Sequence, residues 1–104
     1  MRVSFTARHY KPSKRLKDFA TNEVQSLEKF YDAIISCEII LDYQKDIQIA
    51  EVNVLVHGQN LTVVEKTDDV YKSIDKAVEK MGRQLKKYKE KKIQHYSENK
   101  IPEK

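Results

Sequence analysis

Hydrophobic and polar positions alternate strictly at the start of the chain. Residues 2–8 read Arg-Val-Ser-Phe-Thr-Ala-Arg, so Val3, Phe5 and Ala7 share one side. A period of two predicts a half-buried strand. Pro12-Ser13 interrupts it, and Ser13 is placed to cap a helix. From Lys14 to Tyr31 the period changes. Leu16, Phe19, Ala20, Val24, Leu27, Phe30 and Tyr31 recur at helical steps, with Glu23 the one misfit on that side.

Alternation then returns. Ile35, Cys37, Ile39, Leu41 and Tyr43 fall on one face of a second strand, and Ala50, Val52, Val54 and Val56 on one face of a third. Lys45-Asp46 marks the turn between them. His57-Gly58-Gln59-Asn60 marks the next, where Gly58 or Asn60 can take a positive φ. A fourth strand is predicted from Leu61 to Lys66. Asp68-Asp69 then sets carboxylates at the positive end of a second helix. Its apolar stripe is Val70, Tyr71, Ile74, Ala77, Val78, Met81, Leu85 and Tyr88, interrupted by Gly82. That helix is expected to fade near His95. Residues 1–96 read as one domain, and 97–104, with Pro102, as a frayed tail.

The predicted order is β-α-β-β-β-α. Short connections make the last three strands antiparallel. A helical crossover from the first strand to a parallel neighbour would bring that strand into the sheet. The expected architecture is a two-layer α+β domain, with two helices packed on one face of a four-stranded sheet. The other face should be wet, although Ile40, Leu55 and Val64 fall there.

Composition narrows the possibilities. The chain has 104 residues, enough for one core. A single cysteine, Cys37, cannot form an internal disulfide, which fits a reducing, cytoplasmic setting. Residues 1–10 lack the apolar run of a signal peptide. No segment approaches the ~18 apolar residues of a membrane span. His9, His57 and His95 are scattered, so neither a metal site nor a Cys-His nucleophile pair is expected. No glycine-rich phosphate loop is present. The reading is of a protein that is not an enzyme, with no cofactor and no small-molecule substrate.

Charge changes the picture more. The net charge is only +4, yet it is segregated. Residues 1–31 and 72–104 are basic, and residues 32–71 hold eight Asp/Glu against two Lys. Within 80–92 stand Lys80, Arg83, Lys86, Lys87, Lys89, Lys91 and Lys92 against Glu90 alone. Lys72, Lys76, Lys80, Arg83 and Lys87 lie opposite the apolar stripe. Arg8, Lys11, Lys14, Arg15 and Lys17 gather at the start of the first helix. Two cationic ridges, held side by side, are expected. Stacked like charges weaken a helix, and phosphates that neutralise them release counterions. A charge run is often only a solvated face. The acidic middle argues instead for a one-sided field facing nucleic acid. Two helices backing a small sheet suit shape recognition of folded RNA, as in double-stranded-RNA-binding domains.

A longer pattern narrows the partner. Asp69-Val70-Tyr71-Lys72-Ser73-Ile74-Asp75, then Glu79-Lys80-Met81, Arg83-Gln84-Leu85 and Lys87-Tyr88-Lys89, resembles the second helix of the ribosome hibernation promoting factor and ribosome-associated translation inhibitor family. Leu27-Glu28-Lys29-Phe30-Tyr31-Asp32 resembles the end of that family's first helix. The resemblance implies a protein that binds the small ribosomal subunit and its rRNA between head and body. It would occupy the channel of mRNA and of A- and P-site tRNA, compete with both, and inhibit translation in stress or stationary phase. By motif position it implies RNA contacts at Lys80, Arg83, Gln84, Lys87 and Lys89. Charge alone adds Lys76, Lys86, Lys91, Lys92, Arg8, Lys14 and Arg15. Tyr71 reads as a core anchor or an RNA contact, and Asp75 as a local partner ordering the preceding turn or the surroundings of Tyr71. The extra C-terminal domain of long family members has no counterpart here. The alternatives are a general duplex-RNA binder and a basic module docking an acidic protein.

Overall fold

The computed structural model describes the backbone of residues 1–100 and the side chains through Lys91. Strand β1 (Arg2–Ala7) leads to helix α1 (Lys14–Gln25), which tightens into a 3₁₀ turn at Ser26–Lys29. Strands β2 (Ser36–Gln44), β3 (Ile47–Val56) and β4 (Gln59–Thr67) follow, then helix α2 (Val70–Lys100). The sheet order is β1-β2-β3-β4. β1 pairs parallel with β2, and the later pairs are antiparallel. The predicted two-layer α+β architecture is the one observed.

Local chemistry explains the boundaries. Ser13 Oγ accepts from the Leu16 amide at 3.1 Å and starts α1. Asp69 Oδ1 accepts from the Tyr71 amide at 3.0 Å and starts α2. The turns hold Lys45 and Gly58 at φ 57° and 80°; Asn60 instead belongs to β4. That strand begins two residues before the expected Leu61. α2 runs past His95, where fading was expected. Residues 101–104 of the expected tail, like the Lys92 and His95 side chains, lie outside the described residues.

The core sits between the layers. Leu27, Ile39, Leu41, Ile74, Met81 and Leu85 are its largest fully buried side chains. Three sequence expectations fail at its margins, the first at the end of β2, where Tyr43 is 43% exposed. Ile35 is 52% exposed, because Ile34 takes the core position from the preceding loop at 5%. Ile35 still joins the sheet through its backbone, accepting from the Arg2 amide and donating to the Leu55 carbonyl. Phe30, expected inside, is 40% exposed, while Tyr31 is buried. The 3₁₀ turn is the reason. At ~120° per residue instead of ~100°, four residues swing the inward face by about 80°.

The wet face is less idle than expected. Ile40 is buried at 7%, between Thr6 and Glu51 in neighbouring strands, while Leu55 and Val64 remain exposed. Glu38, Asp42 and Glu51 project from the same face by strand alternation. Three of the eight acidic residues of the chain's middle therefore lie behind the sheet, while Glu65 faces the helices and Asp69 caps α2.

Candidate nucleic-acid interface

The two helices run parallel. Phe19 meets Tyr71 edge-on at 4.9 Å between ring centroids. One turn later the Glu23 carboxyl lies beside that of Asp75. Phe30 lies against Gly82, where a Cβ would come within 2.8 Å of its ring. All three pairs have the same separation in sequence, so they are successive rungs of one interface. Tyr71 is a half-buried anchor there. Asp75 faces the α1 carboxylate, on the side of α2 that also carries Tyr71. Burial and the neighbouring Asp75 carboxylate push the Glu23 carboxyl above its ordinary value, against a smaller pull from Lys29.

This register also corrects the expected side-by-side ridges. Arg8, Lys14, Arg15 and Lys17 are exposed, but Lys14–Lys17 lie abreast of the start of α2. The dense segment Lys80–Lys91 begins roughly 20 Å further along, at ~1.5 Å per residue. The two basic groups therefore occupy opposite ends of the helix pair. Exposed Lys72 and Lys76 on α2 stand between them.

Within α2 the cations divide by neighbour. Lys76, Lys80 and Arg83 line a cleft with Glu65 and Glu79. Gln84, Lys87, Tyr88 and Lys91 line a second with Gln59 and Leu61 of β4. Lys86 and Lys89 line a third with Lys29, Phe30 and Glu90. Gln84 is half-buried and the basic side chains are exposed.

Their charges are not equally available. Lys80 Nζ lies 3.4 Å from Glu65, and Arg83 lies 3.8 Å from Glu79. Lys14 is held by Asp18 at 2.9 Å, which pushes its ammonium pKa up. Lys76, Lys86, Lys87, Lys89 and Lys91 make no ion pair among the described residues. These unpaired cations are where a polyanion would neutralise most repulsion.

Other polar groups hold the frame. Ser73 is fully buried, donating to the Gln48 carbonyl at 2.7 Å with its Oγ 2.7 Å from Thr67 Oγ1. Tyr88 donates to the His57 carbonyl at 3.0 Å and meets Tyr31 edge-on at 5.4 Å. The Cys37 thiol, buried and beside Glu38, has its pKa pushed up to about 12, so it stays protonated and unreactive. Sequence reasoning placed Phe30 in the core and left Lys29 and Tyr88 out of the interface. No local signal separates Phe30 from Tyr31, because neighbours on a helix can both be buried, as Ser73 with Ile74 and Ala77 with Val78 are.

The fold and surface define a small α+β domain with a cationic helical layer. The family model described as sigma 54 modulation protein / S30EA ribosomal protein matches residues 3–93, and the chain belongs to that family. The ribosome hibernation promoting factor of Klebsiella oxytoca is 34% identical over 95 residues, 91% of this chain and all of that protein. Its counterpart from Escherichia coli K12 is 27% identical over the same coverage. Among solved structures, a ribosomal subunit interface protein from Coxiella burnetii superposes with a TM-score of 0.80 at 27% identity, covering 86% of this chain and 98% of that one. The Thermus thermophilus Protein Y N-terminal domain shares the fold, with a TM-score of 0.77 at 22% identity and coverage of 85% and 99%.

Proposed function

We propose that this chain is a ribosome hibernation factor. It binds the small ribosomal subunit in the channel of mRNA and of A- and P-site tRNA, and it halts translation by filling that space. The action needs no chemistry, only the docking of cationic surface on rRNA, and belongs to stressed or stationary cells. The observation that carries this reading is the run of unpaired cations on α2, Lys86, Lys87, Lys89 and Lys91, with Glu38, Asp42 and Glu51 turned behind the sheet. The names and coverage of the relatives support it.

Sedimentation with purified small subunits tests it. The expected result is co-migration at low salt and displacement when tRNA fills the A and P sites. Equal binding to any duplex RNA would replace this reading with a general RNA binder. Association with lysate particles that survives ribonuclease treatment would replace it with a module docking an acidic protein.

A further inference from the structure

We infer that Phe30 is a stacking platform for an unpaired RNA base, with Lys29, Lys86 and Lys89 neutralising the flanking phosphates. This rests on the RNA-binding reading and specifies what that surface recognises.

The chain has three phenylalanines. Phe5 and Phe19 are partly buried against the hydrophobic core, whereas Phe30 is 40% exposed. Its neighbour Tyr31 supplies the aromatic contact to the core, so Phe30 is not needed there. The side chain is nonetheless held in place. The Phe30 amide donates to the Leu27 carbonyl at 3.0 Å, closing the 3₁₀ turn. One ring edge rests on the α2 backbone at Gly82. A Cβ there would stand 2.8 Å from Cε2 and 3.2 Å from both Cδ2 and Cζ. Glycine inside a helix is about 1 kcal/mol less favourable than alanine. The seat it opens for this ring accounts for its presence.

The surroundings select the occupant. Phe30, Lys29, Lys86, Lys89 and Glu90 line an open cleft of about 380 Å³. Three cations to one anion favour a polyanion. An acidic peptide would use the lysines and leave the ring idle. A single-stranded RNA segment uses both, because every base has a π-face and every linkage a phosphate. A duplex keeps its bases stacked internally and can use only the lysines. The platform therefore adds a preference for unpaired nucleotides to a surface that otherwise recognises charge.

The chain has no tryptophan, so Phe30→Trp installs a unique reporter on the site. The full chain is titrated at low salt with decauridylate, with the same strand annealed to decaadenylate, and with decaglutamate. The expected result is quenching of the introduced indole by the single strand and by neither of the others. Phe30→Leu should weaken decauridylate binding about five- to a hundredfold and leave duplex affinity within about twofold. Unchanged decauridylate affinity in Phe30→Leu, or the same quench with decaglutamate, overturns the platform. Either result leaves the ribosome reading intact. That reading falls instead if the parent chain fails to sediment with small subunits, whatever the decamer does.

Discussion

The two halves of α2 are built to different ends. The first, from Val70 to about Met81, is enclosed. Ser73, Ile74, Ala77 and Val78 are buried beneath it, and Tyr71 and Asp75 face α1. The second half keeps a narrow inner seam at Leu85 and Tyr88 and passes beyond the last helical turns before β2. From Arg83 to Lys91, where the side chains are described, its exposed residues are all cationic except Glu90. One continuous helix thus joins a packed anchor to a charged arm. Like charges can be crowded on the arm because its stability comes from the anchor and the sheet rather than from its own propensity.

That contrast breaks if changes on the arm unfold the protein or changes in the anchor spare it. Arg83→Glu with Lys87→Glu should lower affinity for small subunits by ~10²–10⁴-fold, taking roughly 1.5–3 kcal/mol for each charged hydrogen bond lost. The slope of log affinity against log salt should flatten by about 1.8 for two phosphates, on the duplex-DNA scale. The melting temperature should hardly move, since both side chains are exposed. Ile74→Ala should do the reverse, removing about 2–5 kcal/mol of stability by leaving a cavity in the core. Calorimetry beside sedimentation reads both. Unfolding of the Arg83/Lys87 variant would mean that the arm carries the fold as well.

Much of this division is legible in the sequence. The apolar stripes, the Ser13 and Asp69 caps and the segregation of charge are local signals, so they survive without knowledge of the fold. The margins are not local. Whether α1 ends as an α-helix or tightens into a 3₁₀ turn depends on how Phe30 meets Gly82 across the layer, and that choice decides which aromatic enters the core. The stagger of the two basic groups depends likewise on the Phe19–Tyr71 register. Periodicity places a residue on a face but does not slide one helix along another. Net charge also conceals the pairing of Lys80 and Arg83 with Glu65 and Glu79, which belong in part to another element.

That pairing offers a sharper test of how the arm works. Arg83 and Glu79 are both about two-thirds exposed and 3.8 Å apart, a geometry worth ~0–1 kcal/mol. If Arg83 must leave Glu79 to reach a phosphate, Glu79→Gln should tighten binding to small subunits about two- to fivefold. Stability should change by less than about 0.5 kcal/mol. Equilibrium binding at fixed low salt measures the gain. An unchanged affinity would show that Arg83 keeps its carboxylate partner in the complex and that the unpaired lysines carry the contact.

The smallest expected effect lies in the anchor, at the acid pair between the helices. The Glu23 carboxyl titrates above its ordinary value near 4.5, because burial and Asp75 oppose its ionisation. A raised carboxyl contributes stability when protonated. The contribution is complete below that ordinary value and is lost as pH rises through the raised one. At neutral pH the rung is therefore a like-charge contact. Glu23→Gln removes one charge and supplies a permanent donor to Asp75. At the ~0.2–0.5 kcal/mol typical of neighbouring like charges on helices, the variant should melt about 1–4 °C higher at pH 7. The advantage should shrink as pH falls toward 4.5, where the parent gains its own proton. Melting curves of both proteins across pH 4–8 follow the difference. An advantage that grew on acidification would mean that the two carboxyl groups do not share a proton. The parallel register of α1 and α2 would then rest on the Phe19–Tyr71 and Phe30–Gly82 rungs alone.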